Sequence, residues 1–326
     1  MSSDDSPNEA SDLPSWKEEG LRYYTLSSYF RQAFGGKIWK VSVDGGFSCP
    51  NIDGTVGTEG CVFCNATAFS PGRRLNIPNI ATQIDEGLKR ISRRYNADRL
   101  IAYFQPSTNT HAPVERLRTL YEEALAHPNV VGLTIGTRPD CVSDDVVDLL
   151  AELSEKHWVQ IELGLQTIHD VSLDWLRRGH DAASFFDATA RCRERGLKLC
   201  VHLILGLPNE GADEIRATAE ALAPLGLHSV KLHNLYVVRD TDMARLWEAG
   251  ELPLPDLTTY ASYVVDFLER TPATCVVDRI SGDVPPPYFI GPDWAAKKHA
   301  IRAAIENEFL SRDSHQGSLM ASSSLR

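Results

Sequence analysis

The chain has 326 residues, 43% of them hydrophobic and 24% charged, with a formal net charge of −11. That length suits one large domain that buries a core without disulfides. No stretch approaches the ~20 apolar residues of a membrane-spanning helix, and the acidic balance carries no global signal for nucleic-acid binding. Much of the acidity sits in Asp4, Asp5, Glu9, Asp12, Glu18 and Glu19. Met1–Asp12 lacks the basic start and apolar core of a secretory signal, so a cytoplasmic protein with no membrane partner is expected.

Residues 1–20 read as a disordered acidic tail. Short β-branched runs then predict strands at Ile38–Val43, Leu100–Phe104, Val130–Ile135, Val159–Leu163, Leu199–Leu205 and Ser229–Leu235. Helical patterns at 79–95, 114–126, 143–156, 182–195 and 211–223 separate them. Ser143 before Asp144 and Asp145 predicts a helix start, and Gly196 a helix stop. Strand, helix, strand at this spacing implies parallel pairing through right-handed crossovers, in either a doubly wound sheet or a barrel. No Gly-x-Gly-x-x-Gly turn follows the first strand, which weakens a dinucleotide-binding reading. The basic run Lys89, Arg90, Arg93, Arg94 and Arg99 reads as a solvated helix face, with a phosphate-tracking RNA patch as the alternative. Trp294, Ala295, Lys297, Lys298, Ile301 and Ile305 predict a helix after Pro292, within a helical extension over 251–312. The Ser-rich segment 313–326 reads as a loose tail.

Seven cysteines are an odd count, and three of them crowd into one segment. That pattern fits a reducing compartment and a metal site rather than a disulfide framework. Cys49, Cys61 and Cys64 are spaced Cys-x11-Cys-x2-Cys in a glycine-rich loop after the first strand. In a parallel α/β arrangement such a loop lies at the carboxyl end of its strand, where active sites form. Three thiolates fit a [4Fe–4S] cluster whose fourth iron has no protein ligand, or a structural zinc completed by a distant His such as His111 or His202. Three unrelated buried cysteines are the third alternative. Cys141 lies near the predicted mouth and reads as a small buried residue, as do Cys192, Cys200 and Cys275.

The surrounding residues carry a resemblance. Asp44-Gly45-Gly46-Phe47-Ser48-Cys49-Pro50-Asn51, then Gly60-Cys61 and Phe63-Cys64, resemble the radical S-adenosylmethionine superfamily, and within it the YhcC-like branch near the Elp3-type proteins. Further motifs follow in order: Gln105-Pro106-Ser107-Thr108-Asn109, Gly136-Thr137-Arg138-Pro139-Asp140, Gly164-Leu165-Gln166-Thr167 with Arg178-Gly179-His180, and His202 to Pro208. Lys231 to Leu235, Arg279 to Asp283 and Gly291 to Trp294 complete the set. The resemblance spans about residues 20 to 310. It implies a partial (β/α)6 TIM-type barrel over 21–250 with a C-terminal helical extension. It also implies a [4Fe–4S] cluster on Cys49, Cys61 and Cys64, and S-adenosylmethionine cleaved to a 5′-deoxyadenosyl radical. A flavodoxin- or ferredoxin-like electron donor is implied as partner. The substrate is a small molecule or, since Elp3-type relatives act on tRNA, an RNA base. An iron–sulfur electron carrier and a zinc-stabilised binding module are the rival readings.

The same resemblance assigns expectations to single residues. Phe63 takes the aromatic place by the adenine, or simply anchors the loop. Gln105, Thr108 and Asn109 stand where relatives hold the methionyl end, though turn chemistry also explains them. Gln166 and Arg178 match S-adenosylmethionine contacts of the coproporphyrinogen-oxidising relatives, and an Arg suits a carboxylate. His202 stands where those relatives carry a ribose-binding Asp. Glu162 shares a strand face with Gln166 and, if buried, needs a partner. Arg138 and Asp140 face substrate or pair with each other.

Overall fold

The computed structural model describes residues 15–77, 79–95 and 98–320. Six parallel strands pair in chain order: β1 (Trp39–Val43), β2 (Leu100–Phe104), β3 (Val130–Thr137), β4 (Trp158–Gln166), β5 (Lys198–Leu205) and β6 (Ser229–Asn234). A short strand β7 (Val237–Val238) pairs antiparallel with β9 (Phe289–Gly291) outside that sheet. Between them β8 (Val276–Arg279) joins β6 in parallel as the seventh strand. β1 and β8 are the two edges and do not pair, so the sheet is a partial barrel with a lateral gap. The first six strands lie where the apolar runs predict them. The seventh was read as part of a helical extension, because two valines followed by Asp278 and Arg279 give too short a pattern to register as a strand.

Strand alternation sorts the side chains into two layers. Val41, Val43, Phe104, Leu133, Ile161 and Leu163 enter one continuous apolar core with the surrounding helices. The opposite face carries Lys40, Tyr103, Glu162, Lys231 and His233 into the barrel. The floor is a separate plug of Phe30, Ile38, Ile101 and Trp158. Helix Leu26–Phe34 supplies part of it, and Trp158 Nε1 donates to Tyr29 Oη at 2.9 Å.

The helix signals hold in position. Helix Asp144–Ser154 starts after Ser143, although the Ser143 side chain makes no capping bond. Gly196 follows helix Ala182–Glu194 with φ of +70°, the left-handed region that favours glycine. Helix Ile80–Tyr95 packs its Gly87 so tightly on β1 that a Cβ there would stand 2.2 Å from Val41. Lys89, Arg90 and Arg93 are exposed on it, Lys89 pairing with Glu86 and Arg99 donating to the Phe34 carbonyl. Among the described residues no helix is long and apolar enough to cross a membrane.

Both expected tails are docked over their described parts. Trp16 is fully buried and its indole N–H donates to the Ala273 carbonyl at 3.0 Å. Gln316 is fully buried as well. It accepts from the Tyr24 N–H at 2.9 Å and donates to the carbonyls of Pro272 and Cys275 at 2.6 and 2.7 Å. A polar, Ser-rich composition conceals a single buried amide that ties three backbone groups. Residues 1–14 and 321–326 lie outside the described residues.

Replacing Gln316 with Ala strands three buried backbone groups, each costing about 1–3 kcal/mol when unsatisfied. Urea denaturation of Gln316→Ala is expected to show a loss of about 2 kcal/mol or more. A change within about 0.5 kcal/mol, as for an ordinary surface substitution, would show the clasp to be idle.

Candidate active site

A cavity of about 210 Å³ opens at the carboxyl ends of the strands. Cys49, Cys61 and Cys64 form part of its wall, and Lys231, His233 and Arg279 line the same cavity. The cysteine loop is shaped by its own backbone. The Cys49 carbonyl accepts from Ile52 and Asp53, the Pro50 carbonyl from Val56 and Gly57, and the Asn51 carbonyl from Gly60. Gly54 and Gly60, at φ of +90° and +74°, supply the reversals. Two links pin the loop to the barrel: Val62 N–H to the Leu176 carbonyl, and Met243 N–H to the Val62 carbonyl.

The Cys61 sulfur accepts from Asn51 Nδ2 at 3.2 Å and from Arg178 Nη1 at 3.3 Å. Arg178 Nη2 donates to the Gly164 carbonyl at 2.9 Å, which leaves its buried Nε without a partner. Cys64 opens into the cavity. The protein packed around it, and then the neighbouring Cys61 and Cys49, push its thiol up to about 12. The three thiols therefore lie close enough to feel one another.

Most of the other predicted residues reach this cavity. Phe63, Gln105, Thr108, Glu162, Gln166 and His202 line it. Gln166 has φ of +76°, a conformation costly for a residue with a side chain, at the point where the β4–β5 register shifts. Asn109 does not line the cavity. Its amide donates to the Phe104 and Gly136 carbonyls at 3.0 and 2.7 Å, bracing the ends of β2 and β3. Arg138 and Asp140 pair with each other at 2.8 Å, and Arg138 also holds the Arg178 carbonyl at 2.6 Å.

The barrel interior holds a charge network that sequence reasoning only half anticipated. Glu162 does find a partner, and in fact three. Lys231 Nζ donates at 2.9 Å, Lys40 Nζ at 3.2 Å and the Tyr103 hydroxyl at 2.5 Å. Lys40 also pairs with Asp278 at 2.5 Å. Burial pushes the Glu162 carboxyl up, but Lys231, Lys40, His202 and the Tyr103 hydroxyl together hold it well below the usual carboxylate range. Glu162, Cys200 and Asp278 could crowd a metal ion within 4.8 Å of one another. Lys231 and Lys40 together neutralise the two carboxylates, so the group reads as an ion-pair network. Burial pushes His202 down to about 3 and His233 well below its ordinary value, so both rings are neutral. They pack 4.1 Å apart. Lys40, Tyr103, Lys231, His233 and Arg279 were missed as site residues. The available signal was a lysine or histidine at alternate positions of otherwise apolar strands covered on both faces.

Comparison with known proteins gives one consistent result. The pattern of the Radical SAM superfamily matches residues 52–222, and that of the Radical_SAM C-terminal domain residues 227–310. The chain is 42% identical to the uncharacterised protein YtqA of Bacillus subtilis, over 91% of this chain and 92% of that one. It is 40% identical to protein YhcC of Escherichia coli, over 88% and 92%. A tRNA uridine(34) acetyltransferase of Methanocaldococcus jannaschii is 26% identical over 48% of this chain and 31% of its own length. Among solved structures, the archaeal Elp3 of Methanocaldococcus infernus superposes with a TM-score of 0.66 at 17% identity. The match covers 86% of this chain and 64% of that one, and it shows the shared fold.

Removing the Glu162 charge leaves two buried ammonium groups short of a partner. Glu162→Gln is expected to lose about 3–5 kcal/mol in chemical denaturation. The folded carboxyl titrates below its unfolded value. The difference between wild type and variant should therefore be constant above about pH 5 and shrink as the pH falls through the carboxylate range. A difference that grows on acidification would contradict the assignment.

Proposed function

Because the chain belongs to the radical SAM superfamily, in its YhcC-like, Elp3-type branch, and is thereby a radical SAM enzyme, we propose that it binds a [4Fe–4S] cluster on Cys49, Cys61 and Cys64 and cleaves S-adenosylmethionine reductively. The observation that carries this is the donor set itself. Three thiols line one cavity, and two N–H donors are already aimed at the Cys61 sulfur. Such donors stabilise a sulfur that carries negative charge. When bound, the cluster supplies the electron that breaks the sulfonium carbon–sulfur bond and releases a 5′-deoxyadenosyl radical.

The chain's own residues do the positioning. Gln105, Thr108, Gln166 and Arg178 line the cavity near the cysteines and would hold the methionyl end of S-adenosylmethionine. The unpartnered Nε of Arg178 suits a carboxylate oxygen. Phe63, half-buried against Val62, Leu176 and Ile204, offers an aromatic face for the adenine. His202, which lines the same cavity, would meet the ribose, and Glu162, held by Lys231, Lys40 and Tyr103, would steady the wall behind it. Leu165, Leu203 and the rest of the outer core keep water from the back of the barrel.

All seven cysteines are free, which supports a reducing, cytoplasmic setting with a flavodoxin- or ferredoxin-like electron donor. The relation to tRNA uridine(34) acetyltransferases supports a tRNA base as substrate.

The test uses anaerobically reconstituted protein reduced with dithionite and given S-adenosylmethionine. About four irons per chain and formation of 5′-deoxyadenosine are expected, and Cys61→Ala should lose both. Zinc in place of iron, or a full cluster in Cys61→Ala, would sink the ligand assignment. A cluster with no cleavage, even with total tRNA added, would favour electron relay. Total tRNA should raise 5′-deoxyadenosine formation if a tRNA base is the substrate; no increase removes that reading.

A further inference from the structure

The carboxylates of the barrel interior and its rim each hold a lysine of their own. Glu162 is held by Lys231 and Lys40, Asp278 by Lys40, and Asp283 by Lys298 at 2.6 Å. Arg279, beside Asp278 on β8, has no hydrogen-bond or ion-pair partner among the described residues. It lines both the cysteine-walled cavity and a second cleft of about 680 Å³ at the gap between β1 and β8. Its guanidinium thus stands where the two spaces meet, and its charge is felt by His202, His233 and Tyr236.

Two further polar groups line the same cavity. His233 Nε2 and Asn234 Nδ2 are buried and have no partner. The Asn234 amide cannot simply turn over, because its Oδ1 accepts from the Gly282 N–H at 2.9 Å. The His233 ring is fixed against His202. Buried polar groups are satisfied in native proteins, and a pair left unspent beside an unneutralised cation needs a ligand. A guanidinium and an amide NH2 lining one cavity suit an oxyanion, and the neutral His233 adds a donor in its Nε2–H tautomer. The interior charge agrees. Lys40, Lys231 and Arg279 outnumber Glu162 and Asp278 by one, and the neutral histidines add nothing.

We propose that Arg279, His233 and Asn234 form a subsite for an oxyanion carried by the substrate, at the junction of the barrel cavity and the lateral cleft. The proposal rests on the reading above, since the cysteine wall must hold the cofactor for this end to be left to the substrate. The subsite then fixes where an anionic group of the substrate sits while its reacting carbon faces the cofactor. Phosphate and carboxylate share this chemistry.

Equilibrium dialysis with labelled inorganic phosphate, and separately with labelled acetate, tests it on reconstituted wild type and Arg279→Gln. Saturable binding of one anion per chain is expected in wild type, weakened about tenfold or more in Arg279→Gln, with S-adenosylmethionine affinity unchanged. Preference for phosphate identifies a phosphorylated or nucleotide substrate, and preference for acetate a carboxylic acid. No saturable anion binding, equal binding by both proteins, or a parallel loss of S-adenosylmethionine affinity would overturn the proposal. Anion binding is read without any cleavage, so its failure is separable from failure of the cofactor reading. Should Arg279→Gln not fold, His233→Phe, which keeps an aromatic ring against His202, carries the same comparison.

Discussion

One ion pair does what no backbone bond does in this barrel. Lys40 stands on β1 and Asp278 on β8, the two edges that fail to pair, and their side chains meet at 2.5 Å. The same ammonium reaches Glu162 on β4, which Lys231 on β6 and Tyr103 on β2 also hold. Five of the seven strands are thereby tied through one buried polar knot. The gap between the edges is spanned, and its width is limited by the reach of a lysine.

The knot also divides the interior by chemistry. Below it the aromatic plug around Trp158 excludes water. Above it the cavity is lined by the three cysteines, by cationic Lys231 and Arg279, and by neutral His202 and His233. Burial of the charges is tolerable only because each is paired and hydrogen-bonded. Truncating any member would disturb the wall above and the gap beside it together, which makes the network as much a part of the site as of the fold.

The legible part of the structure was the part written locally. Strands β1 to β6 announce themselves as β-branched runs, and the cysteine loop as three thiols among glycines. β8 escaped notice because two of its four residues are charged, and those two are Asp278, which spans the gap, and Arg279, which faces it. Interior partners are far apart in the chain: Lys40 and Asp278 are separated by 238 positions, Lys231 and Glu162 by 69. No window of sequence contains both. Glu162 could be marked as needing a partner, but only the closure of the sheet says which. Asn109 and Arg138 sit in motif segments and serve as braces, Asn109 outside the cavity and Arg138 in its wall, a distinction set by which way each side chain turns after its strand.

The clasp made by Gln316 has a bearing on how the chain is made. The turn before β8 is finished only when Gln316 bonds Pro272 and Cys275, about forty residues later, and Tyr24, 292 positions earlier. A ribosome adds roughly 5–20 residues each second, so the amide that seals this corner is made about 2–8 seconds after β8. Until then the corner before β8, the last strand to join the barrel, carries carbonyls that only water can satisfy.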